Sequence, residues 1–214
     1  MHIPDGFLNA PVAALGYVAS GATLAYAVSK ARKELGEKEV PLLGVSAAFI
    51  FAAQMMNFPV AGGTSGHFVG GFLAALLLGP WAGFLAMSVV LILQCLLFAD
   101  GGLTALGANI FNMAIIGGLM PYAIYASISP KLKTSGARFA VIAVLGWFAT
   151  FVASIACAVE LGISGTAPLG PAVVAMGGVH ALIGIGEGLI TAAVIAAVSA
   201  VRKDLIYALK GVEQ

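Results

Sequence analysis

Charge is what this chain has least of. Lys, Arg, Asp and Glu make up 9% of its 214 residues and hydrophobic residues 61%, where a soluble domain carries about 25% charged residues. Several apolar runs approach or exceed the roughly 20 residues that cross a bilayer, so the composition excludes a soluble globular protein and predicts a polytopic membrane protein. The net charge of +1 comes with no basic stripe and no Arg cluster interleaved with aromatics, which argues against a nucleic-acid partner. Cysteine is nearly absent. Cys95 and Cys157 sit inside apolar runs, where a thiol behaves as a small buried hydrophobe and no disulfide framework is expected. There is no Walker-type phosphate loop, so any use of ATP belongs to another chain. A basic segment leading into an apolar core and a small-residue cleavage site is also missing. Met1 is therefore expected to stay as a free terminus, all the more because His2 is too large for removal of the initiator.

Histidine is scarce too, and two of the three, His2 and His67, lie outside apolar runs. The Met1 amine, the His2 amide nitrogen and the His2 Nδ1 can close a five-membered and a six-membered chelate ring on one small ion. Three nitrogens then lie in a plane with the fourth corner open. The His67 imidazole, in Gly63-Thr64-Ser65-Gly66-His67, is the natural donor for that corner. Four nitrogens in a square suit Ni(II) or Cu(II), whereas zinc prefers a tetrahedron. Pro4 fixes φ and Asp5-Gly6 supplies a turn, so the terminus is stiffened rather than frayed.

Charge parity sets the topology. The apolar runs divide into spans at about 8–29, 41–56, 66–78, 81–98, 102–128, 139–159 and 172–201, provided Gly79-Pro80 is a tight reversal. All ten basic residues, Lys30, Arg32, Lys33, Lys38, Lys131, Lys133, Arg138, Arg202, Lys203 and Lys210, then fall on one side, which the positive-inside rule makes the cytoplasm. The result is an all-α integral membrane protein of seven transmembrane helices in one membrane domain, 1–214, with its N-terminus outside and its C-terminus cytoplasmic. The metal-binding N-terminal segment (1–7) and the loop 57–67 share the outside face. The third span, with a rise of only about 20 Å against an apolar core of about 30 Å, must be short or partly re-entrant, its irregular backbone lining a protein-enclosed cavity. Gly66, Gly70 and Gly71 are expected to let the terminus approach His67.

Met1-His2-Ile3-Pro4-Asp5-Gly6-Phe7-Leu8 and Asn57-Phe58-Pro59-Val60-Ala61-Gly62-Gly63-Thr64-Ser65-Gly66-His67 resemble the substrate-binding membrane subunit (S component) of energy-coupling-factor nickel and cobalt transporters, the NikM/CbiM group. The resemblance runs over the whole chain, and Pro4-Asp5 leans toward the nickel branch. It implies a six-helix core with an extra N-terminal helix, in the plasma membrane. It also implies metal held by the Met1 amine, the His2 amide and imidazole nitrogens and the His67 imidazole, with nickel(II) or cobalt(II) as transported substrate. The partners implied are a transmembrane scaffold (T) subunit, cytoplasmic ATPase subunits and a small accessory membrane subunit.

Other residues have two readings each. Asn57, Thr64 and Ser65 either orient His67 by taking its second ring proton or serve turn chemistry. Asp5 either caps the buried terminus or forms a plain turn. His180 and Glu187 share one face of the last span, as a release route or as hydrogen bonds between helices. Gly44, Ala48 and Ala52, and separately Gly16 and Ser20, form small-residue faces for docking a partner or for internal packing. Two rival functions remain: an intramembrane serine protease using Ser65 and His180, and an ion-coupled secondary transporter, for which Glu187 is the clear carboxylate.

Overall fold

The computed structural model describes residues 1–34, 36 and 39–209. Helix α1 (Ala10–Glu34) starts where the Asn9 side chain accepts the Val12 N–H at 3.0 Å, the cap an Asn provides before an apolar run. Helix α2 (Glu39–Gln54) carries Pro41 in its first turn, where a missing N–H costs nothing. Two-residue strands β1 (Phe58–Pro59) and β2 (Ser65–Gly66) then pair antiparallel, Phe58 opposite Gly66. After them come α3 (Gly71–Leu78) and α4 (Pro80–Phe98). Helix α5 (Leu106–Ile110) continues through a π-helical stretch, Phe111–Leu119, into α6 (Met120–Ile128) as one rod. Helices α7 (Ser135–Ile163) and α8 (Leu169–Arg202) complete the bundle. With the rod counted once there are seven helices among the described residues, as the parity reading expects. The π stretch was not foreseen; such bulges gather at functional sites.

Among the described residues, five helical segments are long and apolar enough to cross a membrane: Ala10–Lys33, Pro80–Phe98, Leu106–Lys131, Ser135–Ile163 and Leu169–Leu205. The expected third span is not a helix throughout. Helix α3 has 8 residues, all buried, and rises about 12 Å. It starts only at Gly71 because Gly70 takes φ +78 and the residues before it run as strand and irregular chain. Such backbone survives at membrane depth only when protein satisfies its polar groups. Glu187, buried in α8, does so by accepting Val69 N–H at 2.6 Å and Gly70 N–H at 2.8 Å. The Gln54 side chain donates to the Val69 carbonyl at 2.6 Å. Glu187 thus serves a main-chain turn, a third role beside the two its sequence position suggested.

Gly79 at φ +87 and Pro80 opening α4 form the expected tight reversal, with Gly83 seated on the backbone of Ala74 and Ala75. Gly71 lies against the Met113 and Gly117 carbonyls of the π stretch, space a Cβ would fill. Helix α1 packs on α5: Gly16 touches the Ala108 backbone, and Ser20 Oγ donates to the Gly107 carbonyl at 2.7 Å. The Gly16 and Ser20 face is therefore internal. Gly44, Ala48 and Ala52 on α2 are exposed instead. Chain parity puts Lys30, Arg32, Lys33, Lys131, Lys133, Arg138, Arg202 and Lys203 at the helix ends away from the N-terminal segment. Lys38 and Lys210 lie outside the described residues.

Glu187→Ala leaves two buried N–H groups without an acceptor, a loss of about 1–3 kcal/mol each. The purified variant is expected to unfold at a clearly lower temperature, and Glu187→Gln, which keeps one acceptor oxygen, to lose less. An unchanged midpoint in the alanine variant would show that the carboxylate does not hold α3.

Candidate metal centre

The N-terminal segment is buried, not frayed: Met1 and Ile3 are 0% exposed and His2 4%. A reciprocal amide pair fixes it. Ile3 N–H donates to Asn109 Oδ1 at 2.9 Å, Asn109 Nδ2 returns to the Ile3 carbonyl at 3.2 Å, and Gly102 N–H reaches the same carbonyl at 2.8 Å. Gly101 (φ +91) and Gly102 lie directly under this segment, and a Cβ on Gly102 would collide with the Pro4–Asp5 backbone. These two glycines, not Gly66, Gly70 and Gly71, permit the close approach of the terminus. Gly66 meets Phe58 and Ile183, and Gly70 meets Ile50 and Phe68.

The segment sets the Met1 amine against His67 and the His2 ring beside that of His67. The Met1 amine donates to the Ser65 carbonyl and to Ser65 Oγ, the latter at 2.9 Å, and faces His67 Nε2 at 2.8 Å. His2 N–H points at Ser65 Oγ, 3.2 Å away. The His2 and His67 rings stack at 4.5 Å between centroids. His67 Nδ1–H donates to the Phe68 carbonyl at 2.7 Å, which leaves the Nε2 lone pair facing the amine. His2 Nε2 lies 3.1 Å from Gln94 Oε1; as donor there it frees Nδ1. Asp100 Oδ1 stands 3.2 Å from that Nδ1, an ion-pair separation rather than an aligned hydrogen bond. Partners that fix tautomer and ring direction in this way raise the basicity of a ligating histidine.

Burial disfavours the charged forms of the amine and the two rings. Burial lowers the Met1 amine to about 5. Burial also lowers His2, against the opposing pull of Asp100, and lowers His67 well below its usual value, helped by the nearby amine and His2. For Asp100 burial acts upward, but contact with His2 and the charge of the amine outweigh it and hold the carboxyl below its ordinary range. Among the described residues, no group of three or more His, Cys, Asp or Glu side chains comes together.

The polar residues flagged from the loop sequence do other work. Ser65 serves the two terminal nitrogens. Asn57 Nδ2 donates to Asp100 Oδ2 at 3.0 Å, Thr64 Oγ1 lies 3.8 Å from Cys157 Sγ, and the second ring proton of His67 goes to Phe68 instead. Asp5 is exposed and clamps the neighbouring loop, accepting Thr104 N–H and Oγ1–H at 2.7 Å each. Ser65 Oγ accepts from the two terminal nitrogens, and His180 meets the Ser65 main chain rather than its hydroxyl, so the protease dyad is not assembled. Gln94, Asp100 and Asn109 escaped the sequence reading. Their signal was present as lone polar residues within or at the end of apolar runs.

A family model for the cobalt uptake substrate-specific transmembrane region, CbiM, matches residues 2–205. The chain belongs to the CbiM family. It is 49% identical over 208 residues to a putative fused nickel transport protein NikMN of Archaeoglobus fulgidus, covering 96% of this chain and 68% of the relative. A putative metal transport protein of Haloquadratum walsbyi is 46% identical over 209 residues, 97% of this chain and 94% of the relative. A crystal structure of a transition metal transporter superposes with a TM-score of 0.87 at 35% identity, covering 95% of this chain and 94% of the other. Together with its five apolar spans, CbiM membership makes this a multi-pass membrane protein of a nickel and cobalt transport family.

In this CbiM chain the amide clamp is testable without metal. Asn109→Ala is expected to release the terminal segment, so that an amine-specific acylating reagent modifies Met1 at least about tenfold faster, as expected when a local opening loses about 1.4 kcal/mol of protection. Equal rates in the variant and the unaltered protein would mean that Asn109 does not hold the terminus.

Proposed function

We propose that this chain captures Ni(II), or Co(II), at the outside face and hands it to an ATP-driven importer of the energy-coupling-factor type. The observation that carries the reading is the 2.8 Å between the Met1 amine and His67 Nε2. Adjacent corners of a square with metal–nitrogen bonds of about 2.0 Å stand about 2.8 Å apart. The amine and His67 Nε2 take two such corners, and the His2 amide nitrogen and Nδ1 complete the square. The amine and both rings already present lone pairs at neutral pH, so ion entry displaces one proton, that of the His2 amide. A divalent ion, one amidate and the Asp100 carboxylate then sum to zero charge, which suits a buried site. Ser65, Gln94 and the Phe68 carbonyl position the donors.

The outward orientation rests on the basic residues at the opposite helix ends. Helix α2, with Gly44, Ala48 and Ala52 exposed, is the face offered to a scaffold subunit, since small residues let membrane helices approach closely. The ATPase subunits, and in some assemblies an accessory membrane subunit, are separate chains. The A. fulgidus relative, named as a fused protein, fits such a division of labour.

Blocking the terminus tests this reading directly. Acetylation of Met1 turns the amine into an amide with little added bulk and is expected to reduce nickel affinity by at least about 100-fold, the upper end of the cost of disturbing a ligand's partners. One residue added before Met1 places His2 third in the chain, able to fill all four corners without His67, so uptake should collapse more than affinity does. Wild-type nickel uptake by either protein would remove the amine from the ligand set.

A further inference from the structure

The segment 63–70 is laid along α8 in parallel register. Gly63 lies on the Met176 side chain, Gly66 on Ile183, and the N–H groups of Val69 and Gly70 on Glu187. At the level of Ser65, on the same face, stands His180. It is 0% exposed, its Nδ1 lies 2.7 Å from the Met176 carbonyl one helical turn back, and its Nε2 has no hydrogen-bond partner. With the proton on Nδ1, where the helix carbonyl takes it, Nε2 carries a lone pair. What lies beside this ring is the Ser65 carbonyl, the same carbonyl that accepts from the Met1 amine. An oxygen lone pair does not satisfy a nitrogen lone pair; a cation does. One carbonyl therefore separates a buried, unused imidazole donor from the proposed square of nitrogens.

We propose that His180 Nε2 is the entering ligand for metal exchange at this site. The inference rests on the four-nitrogen reading above and adds a residue outside that set. A square-planar ion exchanges ligands by accepting a fifth donor before releasing one of the four. A neutral imidazole that enters while another leaves keeps the charge on the ion unchanged, and the ion is never left with three donors in a buried site. His180 Nε2 would take the place of His67 Nε2 on the ion, one bond forming as the other breaks. The amidate regains its proton from water when the ion departs. Because His180 stays off the ion in the resting complex, it sets how fast metal moves and not how tightly it is held.

That separation gives the test. Full-length protein with an unmodified terminus is loaded with nickel, and its release to excess EDTA is followed by stopped-flow absorbance, with the dissociation constant measured by titration. His180→Ala and His180→Gln are both expected to slow release at least about tenfold, equivalent to a barrier higher by about 1.4 kcal/mol, with dissociation constants within about threefold of the unaltered protein. His180→Gln fills the space and keeps an N–H donor, so it guards against a packing artefact in the alanine variant. Unchanged release in either variant overturns the proposal. So does faster release with a matching rise in dissociation constant, which would mark His180 as a resident ligand or a structural prop. Failure of the four-nitrogen reading shows separately, as a nickel affinity that survives acetylation of Met1 in the protein with His180 intact.

Discussion

Everything at the candidate centre depends on a terminal amine being held inside a membrane protein. A charged amine is expensive to bury, so the site works only if that nitrogen is neutral and its surroundings are hydrogen-bonded. Ser65 supplies acceptors, and the Asn109–Ile3 amide pair fixes the backbone that carries the amine. The Gly101-Gly102 floor lets the segment lie flat. The same burial that makes the amine costly strips its proton, and with it the main competitor of a metal ion.

A second constraint follows from placing irregular chain inside a helical bundle. The segment that presents His67 is strand and irregular chain, so its peptide groups need partners from elsewhere. Glu187, Gln54 and the short β1–β2 pair provide them. The shortness of α3 is the consequence: residues that would have lengthened it are spent on the site. The π-helical stretch beside Gly71 continues this accommodation, because it lets two backbones meet where side chains would block them.

The fold was legible where charge and turn residues speak plainly. Gly79-Pro80 and the one-sided basic residues determined the helix count, and the span between Gly66 and Leu78 was visibly too short for a full crossing. The meeting of Met1 with His67 was legible too: the structure sets the terminal amine against His67 Nε2, on which the proposed chelate depends. What could not be read was which distant polar group meets which backbone. Asn109 and Asp100 reach the terminus across about 100 residues of chain, and Glu187 reaches Gly70 from another helix, pairings that no local pattern encodes. Asn57, Thr64 and Ser65 show the converse. Proximity in sequence to His67 suggested that they serve its ring, yet the ring bonds to the next residue's carbonyl and they face the terminus, Asp100 and Cys157.

The central claim is that four nitrogens, two of them from the main chain, hold the ion in a plane. X-ray absorption at the nickel edge of the loaded full-length protein reads this directly. The account predicts the pre-edge shoulder of a square-planar ion and a first shell of four nitrogens including two imidazoles. A six-coordinate oxygen-rich shell, or a sulfur scatterer from the buried Met1 or Cys157, would contradict it.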